Sequence, residues 1–296
     1  MLRQAWNGYR GWAKTARDLQ SQTERWNLAA LILLIAAAAF GALSAATADP
    51  WSSGISLAAM VASAAGAYLG RQIVGSGEEE SWIQARAAAE GIKSECYRYA
   101  AQAGDYAVVE ADAAKALASR TAGIAKQATD KNLVRSDNPV PDSGDKREPP
   151  VSMTKDWYKS GRIEDQIQYY RDARNRNQKA ANQLWWIAFG AGFLAVVFGA
   201  LGAYAQRFAP WIGAMTTIAA AVAAYGLIDR RKYLIASYAA MQARLEEILG
   251  LDAADPMSLP DLVTRTEDLL DAEHKAWLPQ MLGTLHQAPP GTQAKG

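Results

Sequence analysis

Four stretches of this 296-residue chain contain no charged side chain, and they fall in two pairs: 28–48 with 51–70, and 184–204 with 211–228. Twenty-one helical residues rise about 31 Å, the thickness of a bilayer's hydrocarbon core. Asp49-Pro50 separates the first pair, and a short turn with Gln206, Arg207 and Pro210 separates the second. Each pair therefore reads as a tight transmembrane hairpin, with Trp51 where interfacial aromatics sit. Buried helices of a soluble fold are the alternative. It is strongest for 51–70, where Ser and Ala outnumber large apolar residues, but uncharged runs this long favour lipid. Ala46-Thr47-Ala48 resembles a signal-peptidase site. The polar leader before Leu28 is too long for an n-region and the apolar run too long for an h-region, so an uncleaved signal anchor is expected.

Basic residues orient the hairpins. Lys14, Arg17 and Arg25 precede the first span and Arg71 follows the second. Arg171, Arg174, Arg176 and Lys179 precede the third, Arg230, Arg231 and Lys232 follow the fourth, and the turns hold only Arg207. The positive-inside rule places both termini and the central segment in the cytoplasm of a multi-pass protein of the inner (plasma) membrane. Two even-numbered repeats enter the bilayer in the same direction. The expected fold is thus an all-α membrane protein of two tandem hairpins with long cytoplasmic helical extensions. Its repeats are 1–128 and 154–287.

The extensions read as helices over 78–127, broken at Gly104-Asp105, and over 156–183, 229–249 and 261–277. The helix from Asp156 is expected to run straight into the third span, and Gly250 to end the helix after the fourth. Segment 129–153 holds Pro139, Pro141, Pro149 and Pro150 among polar residues and reads as a disordered linker, and 288–296 as a disordered tail.

Within the spans, small residues recur on single faces: Ala37, Gly41 and Ala45; Ala58, Ala62, Gly66 and Gly70; Gly192 and Gly199, with Gly202 beside them. Small faces let helices approach closely where lipid supplies no hydrophobic drive. They serve either hairpin packing or contacts between subunits, and four spans offer more of them than two hairpins need.

Several chemistries lack their residues. Lys and Arg number 31 against 30 Asp and Glu, so no global field draws the chain to nucleic acid. One cysteine, Cys96, and two histidines leave no stock for a metal site or a Cys/His pair. No phosphate-binding glycine motif is present, and no cofactor is expected. His274 has no nucleophile near it in sequence, and Glu246-Glu247 and Glu267-Asp268 read as solvated acidic faces. Uncharged spans argue against an ion-coupled transporter, and Ser44, Ser56, Ser63, Thr216 and Thr217 are the small hydroxyls offered to line a path. No catalytic residue is assigned.

Glu80-Ser81-Trp82-Ile83 with Arg86, Glu90, Lys93, Ser94 and Tyr97 follows the first hairpin. Trp157-Tyr158, Arg162-Ile163, Gln166-Ile167 and Tyr169-Tyr170 precede the third span, and Glu267, Glu273 and Trp277 close the pattern. In these strings and in its paired hairpins the chain resembles tandem SLATT proteins, bacterial two-transmembrane domains that associate with nucleotide-synthesising and nucleotide-sensing modules. The resemblance implies a membrane effector of bacterial conflict and anti-phage defence that perforates or depolarises the inner membrane after a nucleotide signal. No synthase or sensor domain is recognisable here, so the trigger is expected from an upstream nucleotide-sensing or nucleotide-synthesising partner. Trp82, Arg86, Glu90 and Lys93 read as an assembly or coupling patch, or as an ordinary packing face.

Two function classes follow: a homo-oligomeric pore-forming effector embedded in lipid, and a membrane-anchored scaffold whose cytoplasmic helices recruit or polymerise with partners. An enzyme ranks third, because no constellation of groups announces one.

Overall fold

The computed structural model describes residues 1–47, 50–75, 78–141, 148–228 and 231–283. Among these the regular elements are all helices: α1 Leu2–Ala46, α2 Trp51–Gly75, α3 Glu78–Ala100, α4 Glu110–Thr129, α5 Lys155–Tyr158, α6 Asp165–Gly202, α7 Ala209–Ile228, α8 Arg231–Ala254 and α9 Leu259–Gly283. A π-helical turn, Lys159–Glu164, joins α5 to α6, and short 3₁₀ turns stand at Gly104–Tyr106 and Gln206–Phe208.

The chain divides into two compact units that cut across its repeats. One comprises 1–21, 77–170 and 240–296, the other 22–76 and 171–239. Each repeat contributes to both.

In the first unit, α3 packs against α4 and α9. The first turns of α1 join this core because Trp6, Tyr9, Trp12 and Ala16 recur every three or four residues and all are buried. What reads as a polar leader is therefore the start of a 45-residue helix that runs on into the first apolar run. Thr154 caps α5 by accepting the Trp157 N–H at 3.2 Å, and Ser258 caps α9 by accepting the Asp261 N–H at 3.3 Å. Pro260 sits in the first turn of α9, where a missing N–H costs nothing.

The expected disorder of 129–153 is corrected for its described residues. Leu133, Val140 and Met153 are buried. The Arg10 Nε–H donates to the Val140 carbonyl at 2.6 Å, and the Thr15 hydroxyl donates to the Val134 carbonyl at 3.0 Å while accepting from the Ser136 N–H. Gly11 makes the approach possible, since a Cβ there would lie 2.9 Å from the Ser136 carbonyl. Three apolar residues with a helix groove to enter suffice to hold a polar segment. Residues 142–147 and the 288–296 tail lie outside the described residues. Gly250 likewise fails to end α8, which continues to Ala254, because one internal glycine costs a helix only about 1 kcal/mol.

Among the described residues three helices are long and apolar enough to cross a membrane, Leu2–Ala46, Trp51–Arg71 and Lys155–Gly202, and their uncharged runs belong to the second unit. α7 adds twenty uncharged residues, the last five with side chains outside the described set. Leu28, Ile32, Leu57, Val61, Trp185 and Phe193 stand exposed, the outward apolar surface of a membrane protein. The stalk into the third span is unbroken from Asp165 to Gly202, whereas the junction before α8, at 229–230, lies outside the described residues.

Candidate functional site

The first unit has a polar heart where residues of both repeats meet. Arg162, on the π turn, donates from Nε and Nη2 to the two carboxylate oxygens of Glu267 on α9, both at 2.9 Å. The Tyr158 hydroxyl donates to the same carboxylate at 2.9 Å. Arg162 is 2 % exposed, and Tyr158 and Glu267 are fully buried. Nη1 of Arg162 has no hydrogen-bond acceptor among the described residues, but its guanidinium carbon stands 4.7 Å from the ring centroid of Tyr97 on α3. Tyr97 also meets Trp6, Trp157 and Tyr158 at ring-centroid distances of 5.9, 6.4 and 5.7 Å. Glu267 is thus no solvated carboxylate: the residues that neutralise it lie over a hundred positions away, which adjacency in sequence conceals.

The face of α3 bearing Trp82, Arg86, Glu90 and Lys93 lies against this interior, with Arg86 and Glu90 half-buried. Trp82 and Lys93 are buried, with the Lys93 ammonium 5.3 Å from the Tyr9 ring centroid. Arg86 Nη2 donates to the Tyr169 hydroxyl at 2.8 Å, tying α3 to α6. Three smaller clusters frame the core. Arg98 pairs with Asp268 at 3.0 Å and Asp271 at 2.9 Å. Lys155, at 2.5 Å, and Lys159 both pair with buried Asp252, which also accepts the Met257 N–H. The Tyr106 hydroxyl donates to Glu95, which with Asp105 pairs with Arg120.

The charges set the acid response. Burial would raise the Glu90 carboxyl, but Lys93, His274, Arg162 and Arg86 outweigh it and hold its pKa at about 2. Asp252 is likewise raised by burial and brought down to about 2 by Lys155, Lys159 and the Met257 N–H. Burial pushes Asp271 and Glu273 upward, against the pull of Arg98 and His274 respectively. Glu90 and Asp252 have folded pKa values below their unfolded ones, so the stability they supply is present above the ordinary carboxylate range and is lost as pH falls toward 2. Asp271 and Glu273 work in the opposite sense. For half-buried Glu90 the contribution at neutral pH is on the order of 3 kcal/mol. Near-ultraviolet circular dichroism of the detergent-solubilised protein should lose its aromatic signal between about pH 4.5 and 2. Glu90→Gln should lower stability at neutral pH and shrink that acid dependence.

Chemically, these groups neutralise one another. Burial, reinforced by Glu95, Glu148 and Glu267, drives the Cys96 thiol far above the usual range and leaves it unreactive. No group of three or more His, Cys, Asp or Glu suited to a metal occurs among the described residues.

The second unit carries the small-residue faces, and the structure sorts them. Gly66 approaches α1 closely: a Cβ there would meet Leu33 and Leu34 at 3.3 Å. Ala62 is buried and Ala58 exposed. Gly199 and Gly202 meet Ile212 of α7 loosely, at 4.0 Å. Gly41, Gly70 and Gly192 have nothing within 4 Å of the position a Cβ would take. Ala37, Gly41 and Ala45 line an open groove of about 740 Å³ between α1, α2 and the start of α7. Four small hydroxyls, Ser44, Ser56, Ser63 and Thr217, converge on it. Ser44 and Ser56 bond each other at 2.5 Å, while Ser63 and Thr217 make no side-chain hydrogen bond among the described residues. Thr216, off the groove, bonds back to the Ile212 and Gly213 carbonyls.

Sequence reasoning missed Arg162, Tyr158 and Glu267 as a cluster, although each lay within the strings that carry the family likeness. It also missed the tryptophans of α1, whose three-to-four spacing was a usable signal.

Two comparisons bear on identity. Residues 8–152 match the SMODS and SLOG-associating 2TM effector domain 3, and residues 158–277 match the SMODS and SLOG-associating 2TM effector domain 1. No curated protein and no solved structure matches the chain. The two matches lie in tandem: the first takes in two of the helices long and apolar enough to cross a membrane together with the segment that packs along α1, and the second takes in the third such helix. The chain is a membrane protein of the SLATT family, built from two tandem two-transmembrane effector domains.

Proposed function

We propose that this protein is a non-enzymatic effector that assembles into homo-oligomers and perforates or depolarises the bacterial inner membrane, in an anti-phage or other conflict system set off by an upstream nucleotide-sensing or nucleotide-synthesising partner. The helices α1, α2, α6 and α7 are its four spans, paired as two parallel hairpins with both termini cytoplasmic. The observation that carries the reading is the groove lined by Gly41, Ser44, Ser56, Ser63, Gly213 and Thr217. A recess that sets four hydroxyls among alanines and glycines, with Leu34 and Met60 as its bulkier side chains, is a poor surface to leave against acyl chains. A neighbouring copy or water closes it better. One subunit's four alanine-rich helices enclose no aqueous lumen, so conduction requires several subunits. The effector class of both family domains supports the same direction.

The test is a membrane-potential dye in bacteria expressing the intact protein with its trigger, compared with a chimera in which both hairpins are replaced by an unrelated parallel anchor. A depolarising effector loses activity in the chimera. A chimera that retains full biological activity would establish a scaffold, with the spans as anchors only.

A further inference from the structure

The turn from Lys159 to Glu164 is π-helical, a form that takes up about one extra residue per turn and is uncommon outside functional positions. Its place is informative. Counting 100° per residue, Ile163, Gln166, Ile167, Tyr170 and Ala173 fall within an arc of about 120° on α6, and all are buried. An uninterrupted α-helix through 158–170 would place Tyr158 roughly 120° away from the middle of that arc. The π turn absorbs the extra residue and brings Tyr158 and Arg162 back to the core, onto Glu267. Lys159 of the same turn pairs with Asp252. From this turn α6 continues without a break to Gly202.

We propose that Lys159–Glu164 is a two-register latch: in the π register it seats Tyr158 and Arg162 on Glu267, and in the α register it swings Tyr158 off Glu267 and frees the cytoplasmic start of α6. The regulatory meaning of the latch rests on the effector reading above; its mechanics do not. The extra residue creates the choice between registers, so deleting one residue, Gly161, lets a plain α-helix keep Tyr158 within the buried arc and removes the alternative. Gly161 suits removal, since a Cβ there would meet the Trp157 ring first, at an ordinary contact distance of 3.7 Å.

Hydrogen exchange on the full-length protein in nanodiscs tests this with two variants that move in opposite directions. Tyr158→Phe, which removes one bond to Glu267, should speed exchange of 155–164 and 262–270 together by about fivefold. Deletion of Gly161 should slow exchange there below the wild-type rate and cancel the Tyr158→Phe effect in the double variant. The latch is overturned if the deletion fails to fold, if it exchanges as fast as wild type, or if Tyr158→Phe keeps its full effect in the deletion background. Release of an entrapped dye from phosphatidylethanolamine–phosphatidylglycerol vesicles, measured on the same proteins, separates the two readings. Exchange that responds as expected with no dye release from any variant leaves the latch standing and removes perforation.

Discussion

Glu267→Ala should unfold the core of the first unit at far milder conditions than wild type, at a cost of about 3–5 kcal/mol, because it strands a buried guanidinium without its carboxylate. Arg162 is 2 % exposed and cannot reach water, and the Tyr97 ring at 4.7 Å offsets only part of the lost attraction. The Tyr158 hydroxyl loses its acceptor in the same stroke. Chemical denaturation in detergent, followed by tryptophan emission, reads the effect through Trp6, Trp12 and Trp157, all within this unit. The triple change Tyr158→Phe, Arg162→Met and Glu267→Met should recover most of the loss, since replacing a buried pair with apolar groups of similar volume is commonly neutral. A single Glu267→Ala as stable as wild type would mean that the pair stabilises nothing, and a triple variant as weak as the single would mean that packing rather than charge is at stake.

The second large effect separates two glycines that look alike in sequence. Gly66→Leu should disrupt the first hairpin, at about 1–3 kcal/mol or more, because a Cβ there already meets Leu33 and Leu34 at 3.3 Å and a larger side chain forces the helices apart. Gly41→Leu has open space and should leave the monomer unharmed. It fills the groove instead, and native mass spectrometry in nanodiscs should show loss of higher oligomers together with loss of depolarisation. If Gly41→Leu assembles and depolarises like wild type, the groove is not the subunit contact. If Gly66→Leu is harmless, the hairpin packing is looser than the structure indicates.

Much of the fold was legible in the chain because lipid imposes a one-dimensional rule. A span must be apolar over its whole length, so 28–48, 51–70, 184–204 and 211–228 stand out without any knowledge of their neighbours. Helix starts near 156 and 261 were legible for a similar reason, since the groups that favour a helix start act on the backbone within one turn. The helices outside the uncharged runs were harder. A stretch with Trp6, Tyr9 and Trp12 spaced for one helix face reads as polar when only its charges are counted, and the segment from Leu133 to Val140 reads as disordered because its two anchors are sparse.

What the residues determined by themselves was the all-helical membrane class and the family, both written in local pattern and length. What only the tertiary structure decided was that the two repeats do not fold as two bodies: α1, α3, the π turn and α9 pool their polar and aromatic residues in one core. The physical reason is that an ion pair such as Arg162 with Glu267 depends on burial and on partners a hundred residues apart, and neither charge carries a mark of the other in sequence. The same holds for Gly41 and Gly66. Their neighbours, not their identity, separate an open groove from a packed seam.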